Sequence, residues 1–328
     1  MPETFPALIS ILSPGALARD ILPNFGIGPV AECQFYSGGF NHTYQVLAQS
    51  GETYYFRAYR PMWRTLADIR CELDAMLHLQ KKNYPAARPL LFQGGEPYCE
   101  IHALEGVRFG ALFSLAPGEE LSYEETPSEV SYTYGKAVAA MHNALEDFST
   151  PHERFRKDLV HLIDKPLANI KPFLEHRPAD WEYLQQLAEK LHQRISALPP
   201  DVLEQGFCHG DLQGYHAKVD AEGTLTFYDF DCGGFGYRAY DLAVFLWCAR
   251  LEDQVEERWA PFLRGYQEVR PLDPLDLEAV PLFVGGRYLW HMGVHTQNSP
   301  DWGIDFLGDR YFNGRIKTLR QYEADLLT

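Results

Sequence analysis

At 328 residues the chain is long enough for two domains or one large two-lobed one, and 46% hydrophobic and 14% aromatic content lets it bury a substantial core. Forty-five acidic side chains against 29 basic ones give a formal net charge of −16, which opposes nonspecific binding to nucleic acid and docking on an anionic membrane. The six cysteines form no Cys-x-x-Cys pair, no apolar run is long enough to span a bilayer, and the N-terminus has no basic leader, so the expectation is a cytoplasmic chain with reduced thiols.

In chain order, a short helical pattern from Ala16 to Leu22 comes first, then Gly26 to Ala31, which spells G-x-G-x-x-A. No strand precedes that motif and Pro29 sits inside it, so it reads as a turn and not as a dinucleotide fingerprint. From Ala31 the residues alternate as strands do. A glycine turn from Phe35 to His42, with Gly38 and Gly39 inside it, leads into a strand from Thr43 to Ala48. Gln49 to Glu52 is a hairpin turn, and Thr53 to Tyr59 is a third strand, rich in β-formers and carrying Arg57. Leu66 to Lys82 has helical period, with Ile69, Leu73, Met76, Leu77 and Leu79 apolar and Glu72 among them. Two more strands follow, through Val107 to Leu115, and Phe113 to Gly118 breaks the pattern. The break separates the strand signals that precede it from the helical ones that follow.

Past the break, helices are predicted over Pro127–Phe148, Leu159–Leu174, Trp181–Leu198, Trp259–Val269, Pro281–His295 and Phe306–Leu327. His142 reads as a core or cap histidine. His291 and His295 lack the glutamate and third ligand of a helical zinc site. Between these helices lies the stretch densest in chemistry, Phe207 to Leu251. His209-Gly210-Asp211 follows an apolar lead-in, and His216 comes five residues after Asp211. Val219 to Tyr228 reads as a hairpin around Asp220–Gly223, running straight into Asp229-Phe230-Asp231, and Asp241 opens a strongly apolar helix. Carboxylates at strand ends and loops with this spacing suit metal-assisted phosphoryl transfer: one orients and deprotonates an acceptor hydroxyl, another holds the metal that neutralises phosphate charge. A Walker A loop and a G-x-S-x-G elbow are both missing, which excludes P-loop kinases and hydrolases of the nucleophile-elbow type.

The run H-G-D-L-Q-G-Y-H, followed by D-F-D, resembles the aminoglycoside phosphotransferase and choline kinase family, small-molecule kinases with a protein-kinase-like fold. The likeness extends over nearly the whole chain and implies an α+β chain in two lobes hinged at the break, a small mixed β lobe over residues 1–113 and a mostly helical lobe over residues 114–328. It implies ATP-dependent phosphorylation of a hydroxyl on a small molecule. By this resemblance Asp211 is the catalytic base, Asp229 a metal ligand with Asp231 in support, and Asp241 an anchor beneath the catalytic loop. Gly38 and Gly39 would lie over the phosphates, Arg57 would contact phosphate while held by Glu72, and the Ser114–Ala116 segment would meet the adenine. The chain departs from the family at Arg57, where lysine is usual, and at His216, where asparagine is usual. Arginine keeps the charge. Imidazole in the asparagine position suits a softer cation, so the implied metal is Mg²⁺ or Mn²⁺. Tyr215, Trp247, Glu252, Asp253 and Trp290 are candidates for the acceptor pocket. Only eleven residues separate Asp229 from Asp241, too few for the peptide platform of a protein kinase. A stress-response protein kinase of the same broad family and a catalytically impaired nucleotide-binding pseudokinase are the alternatives. No oligomeric state is legible.

Overall fold

Five strands carry the N-terminal half: β1 (Val30–Ser37), β2 (His42–Ala48), β3 (Thr53–Ala58), β4 (Cys99–Ala103) and β5 (Gly106–Ser114). In the computed structural model, which describes residues 5–199 and 202–327, they form one antiparallel sheet in the order β1-β2-β3-β5-β4. Alternation selects the core face. Tyr44, Val46, Ala48, Tyr54, Phe56 and Leu112 are buried together with Leu22 and Phe25 from the turns before β1. The predicted Ala16–Leu22 helix is instead three short turns of different pitch, Pro14–Ala16, Leu17–Ile21 and Leu22–Phe25. Pro23 and the left-handed Gly26 account for the end of that run.

The helix Leu66–Lys81 starts with a reciprocal capping box between Thr65 and Asp68 and buries Ile69, Leu73, Met76 and Leu79. Glu72 lies on the same buried side. The chain divides into two compact units. The first comprises 1–119, 148–154 and 217–228; the second comprises 120–147, 155–216 and 229–328. The hairpin after the His209–His216 loop thus belongs to the first unit. Its strands are Ala217–Val219 and Leu225–Phe227, and Asp220 Oδ1 closes the turn by accepting from the Glu222 and Thr224 amides. Ala87 N–H donates to the Phe227 carbonyl at 2.7 Å. β5 stops at Ser114, and Gly118 (φ +90°) presses so close to the Val219 carbonyl that a Cβ would stand 1.9 Å from its oxygen.

The second unit is mainly helical. The helices Pro127–Ala144 and Val255–Val269 meet at two glycines: a Cβ on Gly135 would lie 2.1 Å from the Phe262 carbonyl oxygen, and one on Gly265 2.0 Å from that of Tyr132. Ala239–Leu251 is buried nearly all round, and Pro274–Gln297 packs against it. Several predicted boundaries shift for identifiable reasons. Leu159–Leu174 is three pieces, Val160–Asp164, Lys165–Ile170 and Lys171–Leu174, because Pro166 and Pro172 restart the turn. The helix expected from Pro281 begins at Pro274, capped by Asp273, whose side chain accepts from Leu275 N–H at 2.8 Å; Pro281 is interior. The last helix is Asp309–Leu326. Among the described residues no helix is long and apolar enough to cross a membrane.

Candidate active site

The loop carrying His209-Gly210-Asp211 leaves the strand Gln205–Cys208, which pairs antiparallel with Gly234–Tyr237. Its foundation is Asp241. That carboxylate, wholly buried, accepts from the His209 amide at 2.8 Å and the Gly210 amide at 2.7 Å. It does not cap its own helix, which starts two residues earlier at Ala239. His142 Nε2 lies 3.0 Å from Asp241 and His142 Nδ1 2.7 Å from the Tyr266 hydroxyl, so His142 is a buried bridge behind the loop. Burial pushes His142 below its usual range despite Asp241, so it donates to that carboxylate as a neutral ring. Gly210 (φ +80°) is required: a Cβ there would meet the Cys232 carbonyl oxygen at 2.3 Å and Lys157 Cε at 2.4 Å.

Asp211 emerges from this loop nearly buried. Its Oδ1 accepts from the Arg287 guanidinium and, at 2.8 Å, from Gln213 Nε2. Burial alone would raise its pKa. The Arg287 charge, followed by His216 and the two hydrogen bonds, overrides that and holds the carboxyl well below the usual range. Asp211 is therefore ionised and fixed in direction. His216 Nδ1 donates to the Asp211 backbone carbonyl at 2.8 Å, which sets the tautomer and turns Nε2 toward Asp229 Oδ2, 4.0 Å away. The Asp229 side chain is 42% exposed, and the residue holds a left-handed backbone (φ +65°), a conformation that costs a non-glycine residue about 1–3 kcal/mol. Asp231 is buried in the turn that follows.

In the first unit, Arg57 Nη1 donates to Glu72 Oε1 at 2.7 Å, and the Tyr59 hydroxyl donates to Glu72 Oε2 at 3.2 Å. Glu72 is fully buried, whereas Arg57 keeps 13% of its side chain exposed and lies 5.1 Å from the Phe113 ring centre. The pair is built as a fixed cation with one open edge. Gly38 and Gly39 sit at the exposed tip between β1 and β2, and the Gly39 carbonyl accepts from Arg60 at 3.3 Å. Ser114 N–H is already committed to the Arg88 carbonyl at 2.9 Å, and Ala116 is buried.

Among the described residues no three His, Cys, Asp or Glu side chains cluster closely enough to hold a metal alone. A cation that takes its remaining ligands from phosphate oxygens and water needs only one or two protein groups. Asp229 carboxylate and His216 Nε2, converging from two segments, fit that demand.

The phosphotransferase enzyme family matches residues 32–272. The chain belongs to that family. It is 37% identical to an uncharacterised protein of Deinococcus radiodurans over 326 residues, 98% of this chain and 93% of the relative. Its fold is that of an amicoumacin kinase solved with AMP-PNP, Ca²⁺ and amicoumacin (TM-score 0.72, 17% identity, 89% of this chain and 88% of that one). It is also that of a microcompartment-associated aminopropanol kinase (TM-score 0.72, 20% identity, 94% and 93%). The protein-kinase-like α+β fold expected from the H-G-D and D-F-D motifs is therefore the fold observed, and the family is one of phosphotransferase enzymes.

The acceptor-pocket candidates of the phosphotransferase fall into two groups. Tyr215 donates to Glu252 at 2.6 Å, and Glu252 in turn accepts from the buried Arg258. Trp247 and Trp290 flank Arg287, at 4.8 and 4.6 Å from its guanidinium carbon. Asp253 is exposed and left-handed (φ +56°). Arg287, Arg258 and Lys157 escaped the sequence reading. Lys157 lies beneath Gly210 with its ammonium over the Tyr240 ring, and burial pushes it down to about 8. A signal for Arg287 did exist: it is a lone charge in the apolar run Val284–Trp290, where a charge stays only if paired.

Proposed function

We propose that this chain transfers the γ-phosphoryl group of ATP, in the presence of Mg²⁺ or Mn²⁺, to a hydroxyl of a small molecule. The observation that carries the reading is Asp211: an ionised carboxylate aimed by Arg287 and Gln213 on a loop fastened from below by Asp241. Its role is to orient the acceptor hydroxyl and take its proton. Arg57, steadied by Glu72, supplies a cation for phosphate oxygens. Asp229 and His216 would hold the metal, whose chemistry when bound is to neutralise phosphate charge. The acceptor class is kept small by the segment after Asp229. It makes a short turn (Phe230–Cys232) and a paired strand (Gly234–Tyr237), and enters a helix at Ala239.

The amicoumacin and aminopropanol kinases support a small hydroxylated acceptor by analogy. The test is ATP consumption by the purified chain against a panel of hydroxylated metabolites and antibiotics, with Asp211→Asn as the control. Turnover with one panel member that Asp211→Asn lowers by roughly 10²-fold or more is the expected result. Labelling of casein or myelin basic protein that depends on Asp211 would replace this reading with that of a protein kinase. ATP thermal shifts with Mg²⁺ and with Mn²⁺, on wild type and His216→Asn, test the metal assignment. A wild-type preference for Mn²⁺ that the variant loses is expected. Identical shifts in all four cases remove His216 from the metal.

A further inference from the structure

The second unit carries two carboxylates beside candidate acceptor groups, and each is neutralised by an arginine clamped between aromatic rings. Arg287 pairs with Asp211 between Trp247 and Trp290. Arg258, fully buried, pairs with Glu252, its guanidinium carbon 3.7 Å from the Tyr123 ring centre and 4.9 Å from that of Phe245. A cationic acceptor is recognised by carboxylates with charge to spare. Neither of these has any.

From Arg287 the helix Pro274–Gln297 places His291 and His295 on the same face, four and eight residues on. Trp247 and His291 are 5.1 Å apart and the two imidazoles 4.3 Å apart, and His295 Nδ1 meets the Tyr311 hydroxyl at 2.9 Å. The row ends at Arg315, whose guanidinium carbon lies 5.1 Å from the Tyr311 ring centre. Exposure grows along it: Arg287 is 1% exposed, His291, His295, Tyr311 and Arg315 are half-buried, and the neighbouring Phe306 is 41% exposed. His291 Nδ1 and Arg287 Nε are buried with no hydrogen-bond partner. Among the described residues no carboxylate forms an ion pair with Arg315. Burial, reinforced by Arg287 and Arg315 at His291 and by Arg315 at His295, holds both imidazoles below their usual range, so the row is neutral rings running from the Arg287–Asp211 pair to the Arg315 cation.

We propose that the row from Arg287 through His291 and His295 to Arg315 is the acceptor subsite, and that the acceptor carries an oxyanion, a carboxylate or a phosphate, away from its reacting hydroxyl. The proposal rests on the reading of Asp211 as the group that orients that hydroxyl. Eight helical residues span about 12 Å, so the oxyanion would lie on the order of 10 Å from the reacting end.

The test uses chain-length series of ω-hydroxyalkanoates, the matching amino alcohols and the matching diols, followed by tryptophan fluorescence (Trp247, Trp290 and Trp302 border the row) and by ATP consumption. One series member of the hydroxyalkanoates binds roughly 10-fold more tightly than its amino alcohol, the size of one charge-assisted contact. Arg315→Gln erases that preference, Arg315→Lys keeps part of it, and both retain the ATP-induced thermal shift. Equal or tighter binding of amino alcohols overturns the proposal, as does a hydroxyalkanoate preference that survives Arg315→Gln, or no fluorescence response to any series. Anion-selective binding without phosphoryl transfer to any member would instead sink the transferase reading and leave the anion site standing.

Discussion

In the proposed function Asp211 and Arg57 bear most of the chemistry, and each has a partner of opposite charge, Arg287 and Glu72. Asp211→Asn keeps the shape and loses the charge that Arg287 faces, so kcat should fall by roughly 10²–10⁴ while ATP affinity changes little. Single-turnover rates and ATP thermal shifts on the same preparation check this, and near wild-type kcat would remove the assignment. Arg57 and Glu72 are in direct contact, and Glu72 has no solvent to fall back on. Arg57→Ala therefore strips a buried carboxylate of its Arg57 contact, whereas Glu72→Gln leaves a partly exposed cation. A double-mutant cycle on ATP binding should give a coupling of about 0.5–3 kcal/mol. Strict additivity would mean that the pair serves the first unit's stability alone.

At the scale of elements, the glycines separate folding from function. Gly39 sits at an exposed tip with nothing within 4 Å of a Cβ and no left-handed φ, so Gly39→Ala should leave stability within about 0.5 kcal/mol. If its backbone approaches phosphate, KM for ATP rises all the same. Gly210→Ala has no such room: it must displace the Cys232 carbonyl or Lys157, and adds a left-handed φ. It should lower both Tm and kcat. Comparing the two by thermal melts and kinetics shows whether loop geometry or mere flexibility matters. The same contrast explains what the sequence made legible. Strands β2, β3 and β5, the hairpin at Asp220–Gly223 and the helix at Leu66 follow from local pattern and turn chemistry, so they could be read. Asp211, Asp229 and Asp241 stood out by spacing. The start expected at Pro281 was misplaced, whereas the one expected at Pro127 is where its helix begins, because a proline's tolerance inside a helix depends on packing that periodicity does not record. Arg287 and Arg258 were missed for a similar reason. They meet Asp211 and Glu252 across 76 and 6 positions of chain, and their aromatic clamps combine Phe245 and Trp247 of the helix Ala239–Leu251 with Trp290 of Pro274–Gln297 and with Tyr123, which lies outside any helix.

For the molecule as a whole, the buried titratable groups predict how stability responds to acid. His142, His291 and His295 all have folded pKa values below the ordinary 6.5, that of His295 at about 4, each chiefly through burial. The unfolded chain therefore binds more protons than the folded one as pH drops from 6.5 toward 4. Stability is complete above 6.5 and is lost across that window. Asp276 works in the opposite sense. Burial raises it to about 6, so between about 4 and 6 the folded state holds a proton that the unfolded state has released, which stabilises the fold as pH falls. Three histidines outweigh one aspartate, and Tm should fall from pH 7.5 to pH 5. Two variants divide the effect. His295→Gln removes one protonation cost and should flatten the acid slope. Asp276→Asn keeps an oxygen for the Glu204 amide, 3.1 Å away, and no longer carries a buried charge. It should raise Tm at pH 7.5 by a few degrees, at roughly 2 °C per kcal/mol in a chain of this size, and by less at pH 5. Melts of the three proteins across pH 4.5–8 decide the matter: a wild-type Tm that is flat or rises on acidification, or an Asp276→Asn gain larger at pH 5 than at 7.5, would show that these groups titrate in solvent and are not held by the fold.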